Sequence, residues 1–285
     1  MKKLFIFLLF FCWVHLSSGQ SGMKVMTFNI RYDNPGDGEF SWQQRLPLVN
    51  DLLQNELPDI LCFQEVLKNQ ADDLQKMLPG YSWSGVGRDD GQEKGEYSAI
   101  FFRARRFQKK AGSTFWLSET PGIPGSRSWN TACTRIVTWV ELKDKKSGQT
   151  YFIFNTHFDH ESPLARAESA KLLLLKIDEI AGSSASIITG DFNDTLKSET
   201  LQILTTGPNG LENTRDLSAI SPDGPDYSFV GFPFNPRKGD VIDFILLKNQ
   251  GKITVRCHRT ITFHIDDKYP SDHLPVCAEL EIPTR

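Results

Sequence analysis

The chain has 285 residues, of which 39% are hydrophobic, 11% aromatic and 24% charged. This balance excludes a disordered, collagen-like or low-complexity protein and suits one large globular domain or two small ones. With 32 Lys+Arg against 35 Asp+Glu the net charge is −3, so no extended basic surface for gripping long nucleic acid is advertised.

The first predicted element is a targeting segment. Lys2 and Lys3 precede an apolar run from Leu4 to Leu16, and Ser17-Ser18-Gly19 supplies small residues at its exit. That is the layout of a signal peptide over 1–19, with an uncleaved N-terminal anchor as the alternative. Residues 20–285 then form a single domain, expected to be a monomer with no stable membrane span.

Met23 to Tyr32 alternates apolar and polar residues and reads as a half-buried strand. Trp42 to Leu57 reads as an amphipathic helix with Leu46, Val49, Leu52 and Leu53 inward, stopped by Pro58. A buried strand follows over Pro58 to Phe63, then a helix from Asn69 to Leu78 and a strand from Tyr97 to Arg103. Arg135 to Leu142 and Thr150 to Thr156 read as a hairpin. Ser162-Pro163 is a capped helix start, and that helix runs to about Ile180 before Gly182. Further strands are predicted over Ser186 to Thr189, Val241 to Leu247, Lys252 to Thr262 and Pro275 to Glu281, with a short helix near Glu199 to Leu204. Strands in both halves with helices between them predict one α+β sandwich, its sheets covered outside by helices.

The four cysteines after the leader, Cys62, Cys133, Cys257 and Cys277, form no CxxC pair, and free thiols are expected, with one disulfide left open. The basic cluster from Arg103 to Lys110 reads as a solvated hairpin end. The aromatic run Tyr227 to Phe234, with Phe115, Trp116 and Trp129, reads mainly as rings packing the sandwich edge, although an exposed ring could stack on a base or enter a lipid interface.

Polar residues recur just past apolar strand runs: Asn29, Gln64-Glu65, Asn155-Thr-His157, Asp191-Phe-Asn193, Asp243 and Ser271-Asp-His273. Oxygen donors gathered at strand ends suit a hard cation such as Mg²⁺, and histidines beside them suit acid–base work near neutral pH. Arg135, just before a strand, reads as a phosphate-binding arginine, with a surface salt bridge as the alternative. His160, His264, Asp266 and Asp267 read as solvated loop residues.

The segments TFNIR, FQE, EYSAIFFR, NTHFD, GDFN, VIDFI and SDHLPV, in this order from Met23 to Glu281, resemble the endonuclease/exonuclease/phosphatase superfamily. That superfamily includes deoxyribonuclease I, apurinic endonucleases, sphingomyelinases, inositol polyphosphate phosphatases and deadenylase nucleases. Within it the chain looks most like secreted bacterial members related to the deadenylase branch. The resemblance implies a four-layer α/β/β/α sandwich and an exported, metal-dependent hydrolase of phosphate esters. Mg²⁺ is the expected cofactor, with Mn²⁺ as substitute. It implies Glu65 as principal metal ligand, with Asn29 beside it and Asp272 joining or supporting the site. Asp191 would orient or deprotonate the attacking water, and Asn193 would hold the nucleophile or a phosphate oxygen. His273, fixed by Asp243, and His157, partnered by Glu96, would face the phosphate as imidazolium-rich pairs. The substrate class stays open among single-stranded nucleic acid, nucleotides, sugar or inositol phosphates and phospholipid head groups. A catalytically inactive binding protein on the same fold is the alternative.

Overall fold

A computed structural model describes residues 20–236, 240–248 and 253–283. The signal peptide expected over 1–19 lies outside the described residues. Two six-stranded sheets form the centre. The first contains β1 (Gln20–Asn29), β2 (Ile60–Val66), β3 (Tyr81–Ser84), β4 (Tyr97–Arg103), β11 (Thr254–Thr260) and β12 (Val276–Pro283), in the order β11-β12-β1-β2-β4-β3. The second contains β5 (Phe107–Trp116), β6 (Ile136–Asp144), β7 (Thr150–His157), β8 (Ser186–Asp191), β9 (Glu212–Asn213) and β10 (Asp243–Lys248), in the order β5-β6-β7-β8-β10-β9.

Three apolar layers explain the stacking. Val25, Ile60, Cys62 and Ile100 of the first sheet meet Val140, Ile153, Ile187 and Ile245 of the second. The alternate residues Met26, Phe28, Leu61 and Phe63 face outward, onto Trp42, Val49, Leu52 and Leu53 of α1 (Trp42–Glu56) and Ala71 and Leu74 of α2 (Lys68–Met77). On the far side Phe154, Ile188 and Phe244 meet Leu173 and Ile177 of α3 (Pro163–Ala181) and Leu201 and Leu204 of α4 (Glu199–Thr205). The result is the expected α/β/β/α sandwich.

The same layering corrects the reading of β1 as half-buried. Apolar side chains on both of its faces are buried, because α1 and α2 cover the outer one. It also ends at Asn29 rather than Tyr32, since Arg31 turns the chain with a φ of 56°. β3 and β5 were not predicted. β5 is an edge strand whose middle is exposed, so Gln108 to Thr114 carry no apolar period. The basic cluster is likewise more than a solvated end. Arg106 donates to Asp59 Oδ2 at 2.7 Å, to Gly22 O at 2.8 Å and to fully buried Asp144 at 2.9 Å, tying both sheets together at the β4–β5 corner. Among the described residues, Cys62, Cys133, Cys257 and Cys277 are free thiols.

Candidate active site

The parallel pairs β1–β2 and β7–β8 point their C-terminal ends the same way, one pair in each sheet, so both sheets deliver polar side chains to one rim. Beneath that rim the sheets are pinned by two buried amides. Gln64 Nε2 donates to Asn155 Oδ1 at 2.6 Å, and Asn155 Nδ2 donates to the carbonyls of Phe63 and Ala99 at 2.8 and 3.0 Å.

Asp191, at the end of β8, is the hub. Its Oδ2 accepts from Asn29 Nδ2 of the opposite sheet at 3.0 Å, and its Oδ1 accepts from the Asn193 backbone N–H at 2.9 Å. Gly190 before it must be glycine, since an added Cβ would lie 2.4 Å from the Thr156 carbonyl. Asn29 Nδ2 also reaches Glu65 Oε1 at 3.0 Å, while the Tyr32 N–H holds Glu65 Oε2 at 3.1 Å. Glu65 sits at a bulge in β2 with a φ of 60°, where the register against β4 shifts and re-aims its side chain.

Two histidines flank Asp191, with Nε2 of His157 at 3.4 Å and Nε2 of His273 at 3.7 Å from its Oδ2. They are electrostatically unlike. His273 Nδ1 lies 2.9 Å from Asp243 Oδ2, and Asp243 with Asp191 pushes His273 up to about 10 against the opposing effect of burial. It is an imidazolium at neutral pH, with Phe229 packed edge-on against its ring. His157 is instead held well below its ordinary range by burial and by the nearby Arg135 and Arg88 guanidiniums. Asn193 Nδ2 donates to the Phe158 carbonyl and meets His157 Nε2, both at 2.9 Å, so Nε2 is the acceptor and the ring proton sits on Nδ1. The expected Glu96–His157 partnership is a contact longer than a hydrogen bond. Glu96 Oε2 is 3.9 Å from His157 Nδ1 and is taken by Arg88 Nη1 at 2.7 Å, so it does not make His157 cationic.

Asp272 completes the rim. Ser271 Oγ lies 2.7 Å from the Asn29 carbonyl and 3.2 Å from Asp272 Oδ1, with Arg31 Nε 3.9 Å from Asp272 Oδ2. Burial raises the basicity of Asp191, Asp272 and Glu96, with neighbouring acids adding to it at each. Such an excess of buried carboxylate is what a cation would relieve, and the hard oxygen donors fit one. Asp191, Asp243 and His273 bring three possible ligand atoms within 4.8 Å of one another, a group with the donors to bind a metal. His273 Nδ1 and Asp243 Oδ2 face each other, so those two atoms of the group are already engaged.

These residues line a cleft of about 710 Å³ together with Arg31, Arg88, Arg135, His160 and Phe229. Every expected site residue except Asn29 and Asp243 is in its wall, and those two stand directly behind Glu65 and His273. Arg88 and Arg31 were missed, since a lone arginine in a loop carries no sequence signal. Arg45 was missed too, although its spacing with Val49 and Leu52 places it on the inward face of α1. It is 2% exposed and donates to the carbonyls of Ile30, Arg31, Phe40 and Pro270, fixing the loops that carry Arg31 and Asp272. His264 stands in its loop against Tyr269, and Phe232 and Phe234 stack on Phe40 and Tyr269, as packing rings should.

Residues 26–273 match the model of the endonuclease/exonuclease/phosphatase family. A solved Bacteroides vulgatus structure described by that family name is 38% identical, with a TM-score of 0.87 over 92% of this chain and 99% of that one. A mannosyl-6-phosphatase of Bacteroides thetaiotaomicron VPI-5482 is 32% identical, with a TM-score of 0.84 over 90% of this chain and 99% of that one. Mouse nocturnin is 24% identical over 92% of this chain and 66% of its own length.

Proposed function

The chain belongs to the endonuclease/exonuclease/phosphatase family and is a phosphoester hydrolase, and from that premise we propose that it is an exported, Mg²⁺-dependent phosphatase of a small sugar phosphate. The observation that carries the chemistry is the buried Asp191 carboxylate, made more basic than usual and set between a cationic and a neutral histidine. The substrate class is supported by the likeness to a mannosyl-6-phosphatase across nearly the whole chain, and by a confined cleft on a chain of net charge −3. Export is supported by the basic-apolar-small layout of 1–19.

Asp191 accepts the proton of the attacking water, as burial and the Asp243 charge make it a better base than an exposed carboxylate. Asn29 Nδ2 and the Asn193 N–H fix both of its oxygens, so its lone pairs have one direction. His273 donates Nε2–H toward a phosphoryl oxygen, and its positive charge stabilises the charge that builds there. His157 stays neutral, and its Nε2 accepts from the Asn193 amide and holds that side chain in place. Glu65 and Asp272 would hold the divalent cation. Asn29 would ligate only by turning its amide, because Nδ2 rather than Oδ1 faces Glu65 and Asp191, at 3.0 Å from each. The cation, when bound, supplies charge neutralisation at phosphoryl oxygens and stabilises the leaving oxygen.

The test is phosphate release from hexose phosphates, inositol phosphates, nucleotides, single-stranded RNA and DNA, and sphingomyelin, each with Mg²⁺, Mn²⁺ or EDTA. The expected result is EDTA-sensitive turnover of a hexose phosphate that Asp191→Asn abolishes. Faster turnover of single-stranded nucleic acid would reassign the substrate, and EDTA-resistant turnover would overturn the metal assignment.

A further inference from the structure

Arg135 carries an unusual burden. It is 4% exposed, and its Nε and Nη1 have no hydrogen-bond partner among the described residues. The nearest carboxylate is Asp159, 3.7 Å from Nε. Asp159 is already saturated, its Oδ2 held by Thr131 Oγ1 and the Ala132 N–H at 2.8 and 2.9 Å. Its Oδ1 accepts the N–H groups of Glu161 and Ser162 at 3.1 and 2.8 Å. Among the described residues, the Arg135 guanidinium bonds from Nη2 to Nδ1 of His160, at 2.8 Å.

That bond fixes the chemistry of His160. A guanidinium only donates, so Nδ1 must accept and the ring proton must sit on Nε2. His160 held in this bond therefore presents an Nε2–H donor with its tautomer set. Its side chain is 51% exposed and lines the cleft three residues beyond His157. Nε2 lies 3.5 Å from Glu161 Oε1, on a side chain 70% exposed, an ion-pair contact that water readily replaces.

We propose that His160, oriented by Arg135, is the residue that recognises the leaving alcohol of the substrate, its Nε2–H donating to a hydroxyl oxygen outside the reacting phosphoryl group. This rests on the sugar-phosphate reading above and deepens it. A solvent-facing donor held by a buried cation is pre-organised for a neutral acceptor oxygen, and a hexose offers several. Inorganic phosphate and aryl phosphates offer none beyond the phosphoryl group itself.

The experiment is calorimetric titration in EDTA of a hexose 6-phosphate and of inorganic phosphate into the parent chain, His160→Ala and His160→Gln. Glutamine can accept from Arg135 and still donate an N–H. The parent should prefer the hexose phosphate. His160→Ala should lower that preference about tenfold, the scale of one hydrogen bond, and His160→Gln should restore most of it. Turnover should follow: in His160→Ala the KM for the hexose phosphate rises about tenfold relative to the KM for phenyl phosphate. A parent without preference, or an Ala variant weakened equally for both ligands, overturns the assignment of His160. Failure of the parent to hydrolyse hexose phosphates, with the ligand preference intact, would instead overturn the phosphatase reading.

Discussion

Asp243→Asn isolates the charge behind His273 without changing shape. Asp243 Oδ2 lies 2.9 Å from His273 Nδ1, and the two residues are 1% and 4% exposed. With an effective dielectric of about 20, unit charges at that separation attract by about 6 kcal/mol. That equals about four pH units, enough for Asp243, aided by Asp191, to outweigh burial and carry His273 from 6.5 to about 10. Asparagine keeps an acceptor for Nδ1–H but removes the charge, so burial then wins and the ring is neutral at pH 7. The cationic donor to the phosphoryl group is lost, and turnover should fall about 10²–10⁴-fold with little change in KM. Steady-state phosphate release at pH 7 reads the rate, and ¹⁵N NMR of the His273 ring reads its protonation. Full turnover with a neutral ring, or an imidazolium that survives in the variant, would refute the reasoning.

Arg45→Met should cost about 2–5 kcal/mol, because it strands buried carbonyls of Ile30 and Pro270 that Arg45 now satisfies at 2.6 and 2.8 Å. Urea unfolding measures this, and turnover should drop alongside because the Asp272 loop loses its anchor; an unchanged midpoint would contradict it. His258, 3% exposed with Nδ1 2.9 Å from Thr214 Oγ1, is pulled down to about 4 by burial and by Arg215. Its folded value lies below the unfolded 6.5, so the unfolded chain takes up the proton first. Its contribution is therefore intact above about pH 6.5 and lost as pH falls toward 4, the loss reaching about 2 kcal/mol by pH 5. Urea midpoints should fall less between pH 7 and pH 5 in His258→Gln than in the parent; an equal fall would contradict the assignment.

The sandwich was legible because most strands are buried on both faces and write themselves as apolar runs, and because Pro58 and Gly182 punctuate helices at the right places. Exposed edges were not, since β5 has no apolar period to read. At the site, residue type and position past each strand were enough to gather Asn29, Glu65, His157, Asp191, Asn193, Asp272 and His273 at one rim. Protonation was not legible. The resemblance gives each histidine a carboxylate partner, but only the fold shows Glu96 hydrogen-bonded to Arg88 and 3.9 Å from His157 while Asp243 meets His273 at 2.9 Å. Nor could spacing reveal that Arg135 leans on His160, a contact made across a loop whose backbone is set by Asp159.

The central claim is that water attacks phosphorus beside Asp191. Hydrolysis of a hexose 6-phosphate in ¹⁸O-water with Mg²⁺, analysed by mass spectrometry of both products, tests it directly. The account predicts one ¹⁸O in the inorganic phosphate and none in the sugar, and no product from Asp191→Asn. Label in the sugar hydroxyl, or undiminished labelled phosphate from Asp191→Asn, would contradict it.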